Sequence, residues 1–180
     1  MVYNPVMRKT TLILLGAVLA VVIGLASVLV YNNREKRYPK ATISTLNEVE
    51  GNWYLANVQS YYLVVEITFS EERRLHKVTV VDNQIAEASL AYWDRESRDW
   101  GTPIPIGPEE AAWYTVPGLF DTIRGALQNG SRDYVRADLR GDPPLPYTIV
   151  LGPTVIDGQL MDDTVTWVTV REFTPSVNAP

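Results

Sequence analysis

An uncharged apolar run near the amino terminus is the feature that most constrains this chain. From Thr11 to Tyr31 the sequence reads TLILLGAVLAVVIGLASVLVY, with no charged residue and no proline. A helix needs about 20 apolar residues to cross the hydrocarbon core of a bilayer. A cleaved signal peptide has a shorter apolar core and a small-x-small cleavage site, whereas this run ends in Ser-Val-Leu-Val-Tyr. The sequence therefore predicts a tail over residues 1–10 and an uncleaved transmembrane helix over residues 11–31.

Basic residues flank the predicted helix on both sides and leave its orientation open from charge alone. Two cations lie before the helix, and the linker over residues 32–44 carries four more, which are Arg34, Lys36, Arg37 and Lys40. Counted literally, the positive-inside rule keeps the larger domain in the cytoplasm. A short basic tail before a long apolar run is instead typical of a signal anchor, which exports the domain on its carboxyl-terminal side. We expect the four linker cations to contact anionic lipid headgroups.

Small residues recur along one face of the predicted transmembrane helix. Gly16, Ala20 and Gly24 are spaced four residues apart, and Ser27 falls near the same face. Small side chains at this spacing let a second helix backbone approach closely, so the pattern predicts a helix–helix contact. The alternative is chance, because glycine and alanine are common in any membrane helix.

The remainder of the chain is acidic and lacks cysteine. Residues 41–180 carry ten Lys/Arg against twenty Asp/Glu, a net charge of −10. Such a domain repels phosphate backbones, which argues against a nucleic-acid partner. The absence of cysteine excludes disulfides, thiolate metal sites and thiol catalysis. We find no catalytic, metal-binding or cofactor-binding motif and predict none of these sites.

The hydrophobic periodicity predicts one α+β domain over residues 45–173, followed by a loose tail over 174–180. A capping box of Thr45 and Glu48 begins a first helix, and Thr115 caps a second one. Segments of period two predict a meander of three strands, at 61–69, 75–81 and 84–92, and two or three further strands, at 133–139, 146–151 and 164–173. The predicted fold is thus an N-terminal transmembrane helix followed by one antiparallel β-sheet domain with two helices packed on it.

Several short motifs succeed one another along this domain in a familiar order. They are Trp53-Tyr-Leu-Ala56, Tyr61-Tyr62, Val78-Thr-Val-Val-Asp-Asn83, Val116-Pro-Gly-Leu-Phe120-Asp-Thr-Ile123, the Pro-rich turn into Tyr147-Thr-Ile149, and Asp162-Asp163. In these motifs the domain resembles an uncharacterised bacterial family of small exported domains, often lipoproteins, with no assigned function. The resemblance covers about residues 45–173. It implies an extracytoplasmic location, which favours export of the domain, and it implies no chemistry.

The chain departs from that family in two places. Family members often carry a paired cysteine in the first strand, where this chain has Ile67-Thr-Phe-Ser70. They also often have Gly-Tyr-Pro before the fifth strand, where this chain has Leu145-Pro-Tyr147. The first departure removes any redox or disulfide role that the cysteine pair serves elsewhere.

A segment rich in tryptophan and proline, Tyr92–Pro108, is predicted to be a long loop. Loops of this length are often functional, and tryptophan and tyrosine are enriched at protein interfaces. The predicted partner-binding residues in and beside this loop are Trp93, Trp100, Trp113 and Tyr114. The alternative is ordinary core packing and loop anchoring. The one histidine, His76, lies in the middle of a strand and is predicted to be structural.

These features favour a single-pass, membrane-anchored, non-catalytic extracytoplasmic protein. Its expected partners are the membrane and the other subunits of a larger membrane protein complex, to which it is an accessory subunit. One alternative is a small-ligand-binding or envelope-sensing domain with a pocket lined by tyrosines. Another is an unfamiliar hydrolase, whose acid/base pair would come from the carboxylates Glu66, Asp138, Asp162 and Asp163.

Overall fold

The computed structural model describes Ala20, Val22 and residues 38–161 and 164–176. The predicted transmembrane helix over 11–31 lies outside these residues except for Ala20 and Val22, which are helical and exposed. Within the described part of the chain, no helix has the length and apolarity needed to span a membrane. The chain divides after Arg37 into two units, of which the second is Tyr38–Pro180.

The described residues of the second unit form an α+β fold, as predicted, with a mainly antiparallel sheet. The helices are α1 (Ile43–Leu55), α2 (Pro108–Ala111) and α3 (Val116–Asn129), with a 3-10 turn at Ala112–Tyr114 between the last two. The strands are β1 (Tyr61–Phe69), β2 (Glu72–Val81), β3 (Gln84–Asp94), β4 (Asp99–Trp100), β5 (Ile104–Pro105), β6 (Val135–Asp138), β7 (Thr148–Leu151), β8 (Thr154–Ile156), β9 (Gln159–Met161) and β10 (Thr166–Pro175).

The large sheet has the strand order β4-β3-β2-β1-β10-β7-β6, and β5 adds to β3. The strands β8 and β9 form a separate hairpin. The first long strand, β1, therefore lies between β2 and the last strand, β10. The sheet also extends before residue 45, because Ala41 N–H donates to Val135 O at 2.9 Å and Ala137 N–H donates to Pro39 O at 3.1 Å.

The helices α1 and α3 pack on one face of the sheet. Alternation along β1 directs Leu63 and Val65 to that face, where both are completely buried. Leu46 of α1 and Phe120 of α3 belong to the same buried cluster. The even-numbered residues of β1, among them Glu66, lie on the opposite side. We call this opposite side, on which neither α1 nor α3 packs, the outer face.

The first helix begins earlier than the sequence predicts. Thr42 is the N-cap: Thr45 N–H donates to Thr42 Oγ1, and Thr42 N–H donates to Thr45 Oγ1, each at 3.2 Å. The capping box is thus Thr42 and Thr45, so the predicted box of Thr45 and Glu48 is wrong. The reason is tertiary, because Ala41 is buried against β6 and the chain enters the helix directly after it.

The two capping assignments make different predictions for stability. We expect Thr42→Ala to lower the free energy of unfolding by about 1 kcal/mol, because it removes the side-chain acceptor of an N-cap. Glu48→Ala should leave stability unchanged. Urea unfolding of the full chain in detergent, followed by tryptophan fluorescence, measures both variants. A larger loss for Glu48→Ala than for Thr42→Ala would contradict the observed cap.

Part of the predicted loop Tyr92–Pro108 has regular structure. The strand β3 continues to Asp94, and the two-residue strands β4 and β5 pair with it. The short helix α2 and the 3-10 turn come next, so the described residues hold three α-helices in this unit where two are predicted. Strands of two or three residues are too short to show a periodic pattern, which also explains why the β8–β9 hairpin is not predicted.

Candidate functional site

The four predicted partner-binding aromatics form two separate pairs. Trp93 and Trp100 lie directly opposite each other across β3 and β4, with ring centroids 5.2 Å apart in an edge-to-face arrangement. Trp113 and Tyr114 belong to the 3-10 turn, and Tyr114 packs against the core on the helix side. The fold therefore places the four predicted residues on two surfaces rather than in one patch, and their role in partner binding stays a prediction.

The Trp93–Trp100 pair lies on the outer face beside an arginine of β2. The guanidinium carbon of Arg73 is 4.3 Å from the ring centroid of Trp93 and 5.3 Å from that of Trp100. An arginine over an indole face at these distances makes a cation–π contact. The contact holds both rings and the guanidinium in one arrangement.

Glu66 anchors the same arginine from the neighbouring strand. Arg73 Nε donates to Glu66 Oε1 at 3.0 Å, and Arg171 Nε donates to Glu66 Oε2 at 2.8 Å. Arg171 reaches this carboxylate from a β-bulge, since β1 pairs Val64 with Glu172 but Val65 with Val170. The bulge leaves Arg171 without a residue directly opposite it on β1.

The Glu66 side chain is only 7% exposed, and its carboxylate remains ionised. Burial raises the pKa of Glu66, but the hydrogen bonds and charges of Arg171 and Arg73 outweigh it, so the pKa lies below its ordinary value. Two guanidiniums face one carboxylate, which leaves one surplus positive charge on an acidic domain. We call Glu66, Arg73, Trp93, Trp100 and Arg171 the outer-face cluster.

The outer-face cluster is accessible enough to bind a partner. The side chain of Arg171 is 54% exposed and that of Arg73 is 33% exposed. Both tryptophans are partly exposed. The cluster offers two indole rings in edge-to-face contact and a cation, and it contains no nucleophile. These groups can bind a partner through aromatic and charged contacts.

The single histidine is buried between the sheet and the 3-10 turn. His76 has no exposed surface, and its ring stacks on Tyr114 with centroids 3.5 Å apart. Neither ring nitrogen has a hydrogen-bond partner among the described residues. Burial, with a smaller contribution from the charge of Arg74, lowers the pKa of His76 to about 4. This environment suits the predicted structural role.

The buried histidine predicts a specific pH dependence of stability. His76 binds a proton in the unfolded chain near its ordinary pKa of 6.5, but in the folded chain only near 4. Proton binding therefore favours the unfolded chain as the pH falls below 6.5. We expect the free energy of unfolding to be about 2 kcal/mol lower at about pH 5 than at neutral pH. Urea unfolding at a series of pH values across this range measures the loss. His76→Phe, which keeps a ring beside Tyr114, should remove the slope; an unchanged slope would contradict the assignment.

A cavity of about 490 Å³ lies between the end of α1, the start of α3 and the β2–β3 turn. Its aromatic lining is Trp53, Tyr54 and Tyr61. The Tyr61 hydroxyl accepts a hydrogen bond from Val116 N–H at 3.3 Å. Burial raises the pKa of Tyr61 to about 12, so this hydroxyl stays protonated at neutral pH. Sequence analysis predicts a pocket lined by tyrosines as one alternative, but it does not identify Tyr54 or Tyr61.

The carboxylates considered for acid/base catalysis do not come together in the described structure. Glu66 is held between two arginines, and Asp138 accepts two hydrogen bonds from Arg140 at 2.7 and 2.8 Å. Asp162 and Asp163 lie outside the described residues. In the described part of the chain, no three His, Asp or Glu side chains are grouped so that they could hold a metal ion.

Most residues of the predicted membrane contacts lie outside the described part of the chain, namely Gly16, Gly24, Ser27, Arg34, Lys36 and Arg37. Lys40 is exposed, and its backbone bridges to Arg136 of β6.

The chain matches no known protein-family model, and no curated protein sequence is significantly similar to it. The resemblance to the family of exported domains thus stays a prediction.

Proposed function

We propose that this chain is a single-pass, membrane-anchored, non-catalytic extracytoplasmic protein that serves as an accessory subunit of a larger membrane protein complex. The apolar run over residues 11–31 supports the anchor. The resemblance to exported bacterial domains supports the outward orientation. The observation that carries the partner-binding role is the outer-face cluster.

The outer-face cluster has the residue types of a binding hot spot, and its side chains are already held in place. Tryptophan and arginine are the residue types that dominate the energetics of protein interfaces. Glu66 and the two indoles already restrict Arg73, so a partner would not have to order that side chain on binding. The surplus positive charge favours a partner surface that presents a carboxylate beside an apolar patch.

The partner-binding role is tested by purification of the full chain from its native membrane in mild detergent. We expect one protein to co-purify with the wild type and to be depleted at least tenfold by Trp93→Ala. Trp113→Ala is the matched control, because Trp113 is 60% exposed and lies outside the cluster. Equal recovery with Trp93→Ala and the wild type would contradict the proposal, provided that near-UV circular dichroism shows the variant folded.

The orientation is tested separately by protease treatment of intact spheroplasts. An antibody against the acidic domain detects whether the domain is digested from outside. The proposal predicts digestion without lysis. Protection until lysis would mean that the four linker cations hold the domain in the cytoplasm, and it would remove the main implication of the family resemblance.

A second candidate function is small-ligand binding, which the cavity at Tyr61 favours. Its volume of about 490 Å³ lies within the range of small-molecule sites. It is lined by tyrosines, as the ligand-binding alternative requires. Saturating ligand would raise the unfolding temperature of the chain, which a thermal-shift screen detects.

A further inference from the structure

We infer that the cavity beside Tyr61 binds an uncharged, polyhydroxylated ring compound, of which a neutral saccharide is the representative class. This inference rests on the second candidate function, ligand binding, and names the ligand class. It is independent of the outer-face cluster, which lies on the other side of the sheet.

The lining of the cavity combines polar and apolar side chains and carries no charged one. Its twelve residues include none of Asp, Glu, Lys or Arg. Three of the twelve are amides, which are Asn57, Gln59 and Asn83. Each amide offers both donors and acceptors, which matches the hydroxyl groups of a sugar, since a hydroxyl also both donates and accepts.

Aromatic side chains supply part of the apolar lining of the same cavity; the rest comes from Val58, Val80, Ile85, Ala112 and Pro117. Tyr54 is 61% exposed at the rim, so its ring is accessible to a ligand. Trp53 and Tyr61 are buried behind it in an edge-to-face contact, with centroids 5.8 Å apart. A ring that is apolar on its C–H face and polar at its edge complements an aromatic wall beside amides.

The rim of the cavity is held in place without a ligand. Asn83 N–H donates to Gln59 O at 2.8 Å, and Asp82 N–H donates to Ser60 Oγ at 3.0 Å. Asn57 and Asn83 both have a positive φ, of 52° and 62°, a conformation that asparagine tolerates better than most residues. These features fix the backbone at the rim. Gln59 Nε2 also donates to Asn57 Oδ1 at 3.2 Å, so two of the three amide side chains are ordered before binding, which lowers its entropic cost.

The charge of the surroundings disfavours other ligand classes. Residues 41–180 carry a net charge of −10, which repels anions at long range. A cationic ligand would find no carboxylate in the lining. A wholly apolar ligand would displace water from the amides of Asn57, Gln59 and Asn83 without replacing their hydrogen bonds to it, which costs binding energy.

The test is a titration of the full chain, held in a polyoxyethylene detergent because glycoside detergents would compete. Cellobiose, maltose and glucose are the neutral probes, with glucuronate, glucosamine and indole for comparison. Saturation-transfer NMR reports binding. We expect at least one neutral saccharide to bind with a dissociation constant on the order of 1 mM. Tyr54→Ala should weaken that binding at least tenfold, whereas Trp113→Ala should leave it unchanged.

Three outcomes would overturn the inference. Tyr54-dependent binding of only glucuronate, glucosamine or indole would refute the saccharide class while the ligand-binding function stands. Saccharide binding unaffected by both Tyr54→Ala and Asn57→Ala would refute the site. No binding of any probe at about 20 mM, a concentration well above a millimolar dissociation constant, would refute both the inference and the ligand-binding function.

Discussion

Gly118→Ala is expected to lower the free energy of unfolding by about 3 kcal/mol or more, because overpacking that displaces backbone is among the more costly core changes. A Cβ at this position would lie 2.1 Å from the carbonyl oxygen of Ala112 and 2.8 Å from the carbonyl carbon of Trp113. Both atoms belong to the backbone, so no side-chain rotation relieves the clash. The helix α3 would have to move away from the 3-10 turn.

Gly125→Ala in the same helix is the matched control. Nothing lies within 4 Å of a Cβ added at Gly125, and alanine is favoured over glycine in a helix interior by about 0.5–1 kcal/mol. We therefore expect this variant to be as stable as the wild type or slightly more stable. Urea unfolding of the full chain in detergent measures both. Similar free energies of unfolding for Gly118→Ala and Gly125→Ala would contradict the close contact between α3 and the 3-10 turn.

Glu66→Gln is expected to lower the free energy of unfolding by about 2 kcal/mol at neutral pH, because it removes the charge from a buried carboxylate that accepts hydrogen bonds from two partly exposed arginines. The amide keeps the size of the side chain but removes the charge that pairs with Arg73 and Arg171. Glu72→Gln is the control, because Glu72 and Arg74 form an exposed pair with side chains 44% and 42% exposed. Such surface pairs contribute little to stability, so we expect Glu72→Gln to leave the free energy of unfolding unchanged.

The effect of Glu66→Gln should also depend on pH. The pKa of Glu66 is depressed in the folded chain, so its carboxylate stabilises the fold above its ordinary pKa. That contribution is lost as the pH falls through the lower folded-state pKa. The wild type and the variant should therefore converge in strongly acidic solution. A difference that stays constant with pH, or no loss at neutral pH, would contradict the charged role of Glu66.

The elements predicted well are those whose signal is local. The strand Tyr61–Phe69 has the predicted bounds, and Leu63 and Val65 of the predicted alternation are completely buried. The second large helix begins after Thr115, whose side chain accepts from Gly118 N–H, and is capped by Gly130 in a left-handed conformation, as its sequence indicates. Local capping and turn chemistry determine both ends, whatever the helix packs against.

The features missed from sequence depend on contacts between distant residues. Glu66 and Arg171 are separated by 105 residues, and only the pairing of β1 with β10 brings them together. Trp93 and Trp100 meet because a two-residue strand folds back on β3. The cavity requires the end of α1, the start of α3 and the β2–β3 turn to converge. Periodicity and motif spacing contain no information on these three arrangements.

Site-specific photo-crosslinking in the native membrane tests the central claim most directly. A benzophenone amino acid at Lys77, an exposed residue of β2 on the outer face, is compared with one at Asp121, an exposed residue of α3. A domain that binds its partner through the outer face should give a discrete protein adduct from the Lys77 position and none from the Asp121 position. An adduct from the Asp121 position alone would contradict this account and place the partner on the helix side.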